Sequence, residues 1–172
     1  VDLDRFRPGE RGEARARLGL GAGPLVVAVG GLTERKNPLR LLQAFRQVRQ
    51  AHPDATLAFV GDGPLARSIR AGAVRLGLDG ALVMPGALPN HAIAAWLAAS
   101  DVLALPSLVE PLGVVALEAL ASGRPVAATR VGGAIEVVGR GGTSVDPLDP
   151  RSIAEGIMRL LASPPSPETC RA

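Results

Sequence analysis

Several residue types are scarce in this sequence, and each shortage excludes a class of protein. There is one cysteine, Cys170, and the two histidines, His52 and His91, are far apart along the chain. A disulfide framework and a cysteine-rich metal site are therefore excluded, and a reducing compartment is favoured. No run of 18 apolar residues occurs and no signal peptide is visible, so we expect no membrane-spanning helix and a cytoplasmic location.

Aromatic residues and lysine are also rare. Aromatics make up 2% of the 172 residues and tyrosine is absent, so a core must be built from Ala, Val and Leu, within an apolar content of 47%. The length suits one domain. The net charge is +3 with the two signs interspersed, which argues against a nucleic-acid partner. Lys36 is the only lysine among 19 basic residues.

Short apolar runs alternate with helical patterns along the chain. The runs are continuous rather than alternating, as in parallel strands buried on both faces, and predict strands at 24–30, 56–61, 81–86, 101–107, 124–130 and 143–147. Helices are predicted from an Asn37 N-cap and Pro38 to about His52, and over 64–76, 89–99, 112–122 and 150–162. The fold class is therefore α/β, a Rossmann-like open parallel six-stranded sheet with helices on both faces. We expect one domain over 1–162 and a flexible tail over 163–172.

Ligands of such sheets bind outside the carboxyl ends of the strands, here the loops 30–37, 61–64, 84–90, 106–113 and 129–136. In the first loop, GGLTERKNP, Gly30 and Gly31 permit close backbone approach to a ligand. Arg35 and Lys36 place cations at the start of a helix, which predicts phosphate binding. A solvated basic turn is the alternative.

The loops GDGP (61–64) and TRVGGAIEVV (129–138) are less specific. GDGP is either a ligand loop or a tight turn that leads into a helix. It is neither the G-x-G-x-x-G pattern of dinucleotide oxidoreductases nor a P-loop. Gly132 and Gly133 again permit close approach, whereas Glu136 is either a ligand residue or an ordinary charge at a helix start.

Two carboxylates stand in the otherwise apolar stretch SLVEPLGVVALEALASG (107–123). Glu110 precedes a proline and should be extended, on the loop that leaves the fourth strand. Glu118 lies about 7.5 Å further along the following helix, among apolar residues. Buried carboxylates need partners, so the pair suggests recognition of several hydroxyl groups. The alternative for Glu118 is exposure at one edge or a structural pair with an arginine.

Four ordered motifs in this sequence resemble a known family. They are VGGLTERKNPLRLLQAF, GDGP, PSLVEPLGVVALEALASGRPV and GGAIEVV, preceded by VDLDRFRP. Together they resemble the C-terminal, donor-binding domain of retaining glycosyltransferases of family 4, which is one half of a GT-B architecture. The resemblance covers roughly residues 1–162 and implies a glycosyltransferase of the hexosyltransferase type.

The resemblance implies a role for each matching residue. Lys36 matches the lysine on the donor diphosphate, Glu110 the glutamate at the donor sugar, and Glu118 the glutamate that holds the ribose. Lys36 and Glu110 are the implied catalytic residues. The remaining implied donor-binding positions are Gly30, Gly31, Arg35, Leu112, Gly113 and Val114. No metal and no cofactor is implied, because the cationic loop and helix amides take over stabilisation of the leaving diphosphate.

The sequence departs from the family pattern at three positions and in its extent. Gly31 stands where the family commonly has an arginine, Leu112 replaces a usual phenylalanine, and Ile135 replaces a usual proline. Arg35 is a candidate substitute for the missing arginine. An N-terminal, acceptor-binding domain is absent, so we expect a fragment that is inactive in isolation. Peripheral membrane association is a possibility for the full-length enzyme. The rival hypothesis is a non-catalytic nucleotide or nucleotide-sugar binding module that works with a partner chain.

Overall fold

The computed structural model describes residues 1–172, and its centre is one fully parallel six-stranded sheet. The strand order is β3-β2-β1-β4-β5-β6 and every neighbouring pair is parallel. The strands are β1 (Leu25–Val29), β2 (Thr56–Val60), β3 (Leu82–Gly86), β4 (Val102–Leu105), β5 (Val126–Thr129) and β6 (Gly142–Val145). The predicted Rossmann-like sheet is thus confirmed, with each strand slightly shorter than the apolar run that predicted it.

Helices cover both faces of the sheet, which explains why the strands are apolar on both sides. They are α1 (Arg11–Leu18), α2 (Pro38–Ala51), α3 (Ala66–Leu76), α4 (Asn90–Ala99), α5 (Val114–Ala121), α6 (Ala134–Val138), α7 (Pro150–Ala162) and α8 (Pro167–Arg171). One layer contains α2, α3 and α7, and the other contains α1, α4, α5, α6 and α8. None of these helices combines the length and the apolar character that crossing a bilayer requires.

Three of the helices were not predicted, and in two of them, α1 and α6, the pattern that sequence reasoning uses is weak or absent. Helix α1 has only a short apolar side, in which Ala14 and Leu18 pack against the core, and Arg15 is its only buried residue. The Arg15 guanidinium donates to Ala99 O at 2.9 Å and forms an ion pair with Asp101, so a charge network holds this helix on the sheet. Helix α6 has five residues, too few to show helical periodicity.

The flexible tail predicted over 163–172 is wrong, because the chain forms helix α8 there. Ser166 caps this helix by accepting from Thr169 N at 3.2 Å, and Pro167 occupies its first turn. Cys170 is buried against α5, and Arg171 donates to Ala121 O at 3.0 Å. The Ser166-Pro167 pair is a typical helix start, but the neighbouring prolines favoured the prediction of an irregular tail.

Candidate functional site

The predicted ligand loops meet where the strand order reverses. Strand β1 continues outward through β2 and β3, whereas its other neighbour β4 continues through β5 and β6 in the opposite direction. The loops that follow β1 and β4 therefore part at this point and leave a crevice between them, as in other open α/β sheets. A cleft of about 540 Å³ lies here, lined by residues 29–30, 35–36 and 109–115.

An ion pair joins the two loops at the base of the cleft. Lys36 Nζ donates to Glu110 Oε2 at 2.6 Å, and Ser107 Oγ donates to the same oxygen at 2.8 Å. The guanidinium of Arg35 lies 3.9 Å from that oxygen and is largely exposed. Burial acts to raise the pKa of Glu110, but these hydrogen bonds and positive charges outweigh it and hold the pKa below its ordinary value. Glu110 is therefore a buried, ionised and oriented carboxylate.

The loop after β1 is held in place by Asn37, which occupies the predicted N-cap position of α2. Asn37 lies in the left-handed region (φ 58°) and its side chain makes no cap hydrogen bond to α2. Its Nδ2 instead donates to Pro106 O at 3.0 Å and to Pro147 O at 2.7 Å. The predicted N-cap position of Asn37 and the start of α2 at Pro38 are thus confirmed, but the side-chain amide fastens three loops beside one another instead of capping the helix.

The glycines of the loop after β5 pack behind Glu110 and not against open space. Glu110 N donates to Val131 O at 3.1 Å, and Ala134 N donates back to Glu110 O at 3.4 Å. Gly132 has φ 100°, and a Cβ there would overlap the Glu110 carbonyl. A Cβ on Gly133 would meet Pro111 O at 2.5 Å. The sequence predicted close approach of a ligand to these glycines, whereas the group that approaches them in the structure is the backbone of the glutamate loop.

The GDGP turn packs against the loop after β1 in the same way. A Cβ on Gly63 would meet Leu32 O at 2.7 Å, and one on Gly61 would overlap the Gly30 carbonyl. Leu32 N donates to Asp62 O at 2.9 Å, which ties the two turns together. The sequence left a ligand loop and a tight turn as interpretations of GDGP. The structure favours the tight turn, which also packs against the loop after β1 and supports it.

The two glycines of the first loop differ in what surrounds them. Gly30 has φ 135°, a conformation that favours glycine, and a Cβ there would lie in contact with Lys36 Cε at 3.4 Å. Gly31 is exposed, has no positive φ, and offers a Cβ only ordinary contacts, with Thr33 at 3.7 Å and Asp62 at 3.9 Å. The position where the family commonly has arginine is thus open.

Helix α5 points its first turn into the cleft but begins later than predicted. Gly113 is its N-cap at φ 71°, and the helix starts at Val114 instead of residue 112. The first bond of this turn runs from Ala116 N to Gly113 O, so the amides of Val114 and Val115 precede it. Leu112 and Val114 are both about half exposed, at 50% and 54%, and line the cleft beside Glu110. A helix N-terminus of this kind favours an anion.

Glu118 is not brought to the ion pair. It lies one turn beyond Val114 on the same side of α5, is half-buried, and makes no side-chain hydrogen bond. Burial raises the pKa of Glu118 above its ordinary value, and the charges of the Val1 amino group and Arg5 oppose this only in part. Of the alternatives left open by the sequence, a structural pair with an arginine is not formed. Glu136 is exposed in the first turn of α6, in agreement with an ordinary helix-start charge.

Sequence reasoning missed Ser107, which is fully buried. Its position three residues before Glu110, directly after a strand and a proline, was the available signal.

This arrangement can be compared with known proteins. The family model described as Glycosyl transferases group 1 matches residues 10–172. The chain belongs to this family. The group 1 chain is 40% identical over 175 residues to a GDP-mannose-dependent α-(1-6)-phosphatidylinositol monomannoside mannosyltransferase of Mycolicibacterium smegmatis, covering 95% of this chain and 46% of the relative. It is 36% identical to a 2-deoxystreptamine glucosyltransferase of Streptomyces kanamyceticus, covering 95% of this chain and 44% of that one.

Solved structures agree with the fold of this group 1 chain. Anabaena Alr3699/HepE in complex with UDP-glucose superposes with a TM-score of 0.86 at 25% identity, over 99% of this chain and 49% of that one. The C-terminal domain of a group 1 protein, LpcC, from Francisella tularensis has a TM-score of 0.84 at 23% identity, over 99% and 91% of the two chains. The present chain thus spans about half the length of the curated relatives that it matches.

Proposed function

We propose that this chain is the donor-binding domain of a retaining glycosyltransferase, which moves a sugar from a nucleoside diphosphate sugar to an acceptor. The observation that carries the proposal is the partly buried Lys36–Glu110 pair at the carboxyl end of the sheet, with the N-terminus of α5 beside it. The pair combines a cation for a diphosphate with an ionised carboxylate for sugar hydroxyls.

The geometry supports one orientation of the donor. The diphosphate would take hydrogen bonds from Lys36 and from the free amides of Val114 and Val115, where positive partial charge already exists. The sugar would lie over Glu110, whose carboxylate accepts hydrogen bonds from hydroxyl groups. The ribose would lie one turn along α5, at Glu118.

Arg35 and Gly31 define how strongly the diphosphate is held in this proposal. The side chain of Arg35 lies over Glu110 and Val109 O, so it is placed on the sugar side of the cleft. It therefore extends the cationic surface but does not reproduce a cation at position 31. The electrostatic stabilisation of the leaving diphosphate would come from Lys36, Arg35 and the α5 amides.

The names of the relatives indicate which donors should be tested. The M. smegmatis relative is named for GDP-mannose, and HepE was solved with UDP-glucose. Both donors are therefore the probes of choice. Transfer to an acceptor would need a second domain facing this cleft, since the relatives are about twice as long.

Calorimetry with UDP, GDP and ADP tests the proposal directly. We expect one of them to bind and Lys36→Ala to weaken that diphosphate about tenfold or more, while the matching nucleoside is weakened less, because the lysine contacts only phosphate. An exposed arginine in the last turn of α3, at the edge of the sheet opposite the cleft, Arg75→Ala, is the control for loss of one positive charge. Absence of binding to all three at millimolar concentration, or equal affinity of wild type and Lys36→Ala, would contradict the proposal.

A donor site built from side-chain cations and amides should also work without a divalent ion. We therefore expect the affinity for the bound diphosphate to be the same with EDTA and with added Mg²⁺. A rise in affinity of tenfold or more on adding Mg²⁺ would assign part of the diphosphate charge to a metal instead.

The rival, a non-catalytic nucleotide-sugar module, gains some support from the absent side chain at Gly31. The two hypotheses predict the same binding and differ in transfer. Fusing the N-terminal half of the M. smegmatis relative to this chain and assaying GDP-mannose turnover separates them.

A further inference from the structure

The Glu110 carboxylate uses its two oxygens unequally. Lys36 Nζ, Ser107 Oγ and the more distant Arg35 all approach Oε2. Oε1 has no hydrogen-bond partner within the protein, and it is not fully buried. Oε1 is therefore the oxygen that remains accessible, and Glu110 lines the cleft. The protein thus holds one oxygen and leaves the other free for a ligand.

The hydroxyl that shares Oε2 with the lysine is placed by a rigid backbone. Ser107 is fully buried, two residues after the end of β4. On one side of it, Pro106 O accepts from Asn37 Nδ2, and on the other, Leu108 N donates to Arg35 O at 2.8 Å. Because both neighbours are fastened to the loop after β1, Ser107 Oγ has a fixed position relative to Lys36.

Lys36 alone would not hold the carboxylate in one orientation. Its four-carbon side chain is flexible, and an ammonium donates in several directions. In the proposed function Lys36 also donates hydrogen bonds to the diphosphate, and this weakens the interaction of Lys36 with Glu110. Because Ser107 is buried and does not contact the diphosphate, its hydrogen bond to Glu110 remains when the donor is bound.

We propose that Ser107 is a positioning residue that fixes Glu110 Oε2, so that Oε1 faces the donor sugar. This inference rests on the proposed function, in which Glu110 contacts the sugar. It predicts a specific effect, since Ser107 touches neither the nucleotide nor the sugar. Loss of its hydroxyl should weaken recognition of the sugar and leave recognition of the nucleoside diphosphate unchanged.

The experiment compares Ser107→Ala with Ser100→Ala. Both serines are fully buried and flank β4, but Ser100 Oγ donates to Leu97 O at 2.9 Å, at the opposite end of the strand. For each variant, calorimetry gives the affinity for GDP-mannose divided by that for GDP, and for UDP-glucose divided by that for UDP. This quotient is the sugar preference.

We expect Ser107→Ala to lower the sugar preference about threefold to tenfold, which is the range of one hydrogen bond to a charged group acting through a neighbour. The affinity for GDP or UDP alone should stay within about twofold of wild type. Ser100→Ala should leave the sugar preference and the affinity for GDP or UDP unchanged. Ser107→Thr, which keeps the hydroxyl, should retain the wild-type sugar preference.

A second measurement requires no ligand. The titration of the Glu110 carboxyl, followed by NMR of the carboxyl carbon, should move to higher pH in Ser107→Ala, because a donor to the charged form has been removed. Lys36 and Arg35 are the charged groups that act on Glu110, and both are unchanged in this variant. Ser100→Ala should not move the titration.

The outcomes separate the inference from the function on which it rests. If Glu110→Gln lowers the sugar preference and Ser107→Ala does not, the positioning role is overturned and the proposed function stands. If Glu110→Gln also leaves the preference unchanged, the sugar role of Glu110 fails and the inference fails with it. An unshifted Glu110 titration in Ser107→Ala overturns the inference whatever the ligand.

Discussion

At the scale of single residues, the two glutamates of one motif meet opposite environments. Glu110 receives two hydrogen bonds, so its pKa is lowered and the charged form stabilises the fold. Its contribution is present above the pKa of the unfolded chain and is lost as the pH falls through the folded value. Glu118 has no such partners and its pKa is raised by burial, so its charge works against folding at neutral pH. A carboxylate kept at a cost to stability is consistent with a ligand role.

We therefore predict that Glu118→Gln stabilises the unliganded chain at pH 7 while weakening nucleoside diphosphate binding. The raised pKa means that Glu118 binds a proton more tightly in the folded chain than in the unfolded chain. The free energy of unfolding therefore falls as the pH rises from the unfolded to the folded pKa of Glu118. Glutamine removes this loss and keeps the size of the side chain. Thermal unfolding of both proteins at pH 4 and pH 7 should show the gain only at the higher pH.

The matched comparison for this prediction is Glu110→Gln, which should destabilise the chain at pH 7 because Lys36 is left without its partner. If both substitutions changed the unfolding temperature in the same direction, the opposite environments assigned to the two glutamates would be incorrect.

Gly31 is a second residue-scale test, because the site around it is open. Gly31→Arg places a guanidinium where the family commonly has one, on an ordinary backbone and with no overlap of its Cβ. We expect the affinity for GDP or UDP to rise about tenfold, the order of one hydrogen bond between charged groups. Calorimetry of Gly80→Arg is the control, since Gly80 is exposed at the opposite end of the sheet with no atom near its Cβ position. Equal gains in the two variants would indicate net charge and not a specific contact.

At the scale of elements, the site depends on loops that pack by their backbones. The loop carrying Glu110 lies between the loop after β1 and the loop after β5, and each contact is close because a glycine lacks a side chain. Gly132 supports Glu110 from one side, while Gly61 and Gly63 support the loop of Lys36 from the other. The loops that carry Lys36 and Glu110 are thus held in position by glycines that need not touch a ligand.

We predict that Gly132→Ala destabilises the chain by about 3 kcal/mol and abolishes measurable donor binding. The added Cβ would overlap Glu110 O at a backbone conformation that L-residues rarely adopt, so the glutamate loop must move. Gly80→Ala, with no neighbour within 4 Å and no positive φ, is the matched control and should be close to neutral. Denaturant unfolding and calorimetry of both variants check this, and a Gly132→Ala protein with wild-type affinity would show that the loop contact is dispensable.

At the scale of the whole molecule, the chain is one sheet with an accessible cleft at its carboxyl end. It spans about half the length of its curated relatives, yet LpcC shows a C-terminal domain of this fold crystallised as a chain of similar extent. The core lies on both faces of the sheet and is formed by residues of this chain alone. Binding and folding can therefore be measured on this chain directly.

We predict that the chain binds its donor but does not transfer the sugar. A diphosphate present at 100 times its Kd should stabilise it by about 2.7 kcal/mol, which for a domain of this size raises the unfolding temperature by about 5–10 °C. A thermal-shift panel of GDP-mannose, UDP-glucose and their nucleotides should single out one base. Release of nucleotide from that donor in the presence of an acceptor, by this chain alone, would contradict the need for a second domain.

The sequence was sufficient for the parallel sheet and for the helices with an apolar stripe. Helix α7, for example, begins at the predicted Asp149-Pro150, with Asp149 Oδ1 accepting from Arg151 N at 2.9 Å. It was insufficient for α1, whose anchor is Arg15, and for α8, whose prolines suggested a tail. Both failures have one physical cause: these elements are held by side-chain hydrogen bonds and caps, which leave no periodic pattern in the sequence.

For the candidate site, the sequence by itself determined the residue types and the loops on which they lie. A buried parallel strand followed by a Gly-, Pro- or charge-rich turn is a local pattern, so the positions of Lys36, Glu110 and the α5 N-terminus could be predicted from it. Only the tertiary structure decided which of these groups meet. Lys36 and Glu110 are 74 positions apart, and their contact, the hydroxyl of Ser107 and the fastening by Asn37 exist because β1 and β4 are neighbours where the sheet reverses its order. The order of strands in a sheet is set by non-local packing, which the pattern of any single segment does not contain.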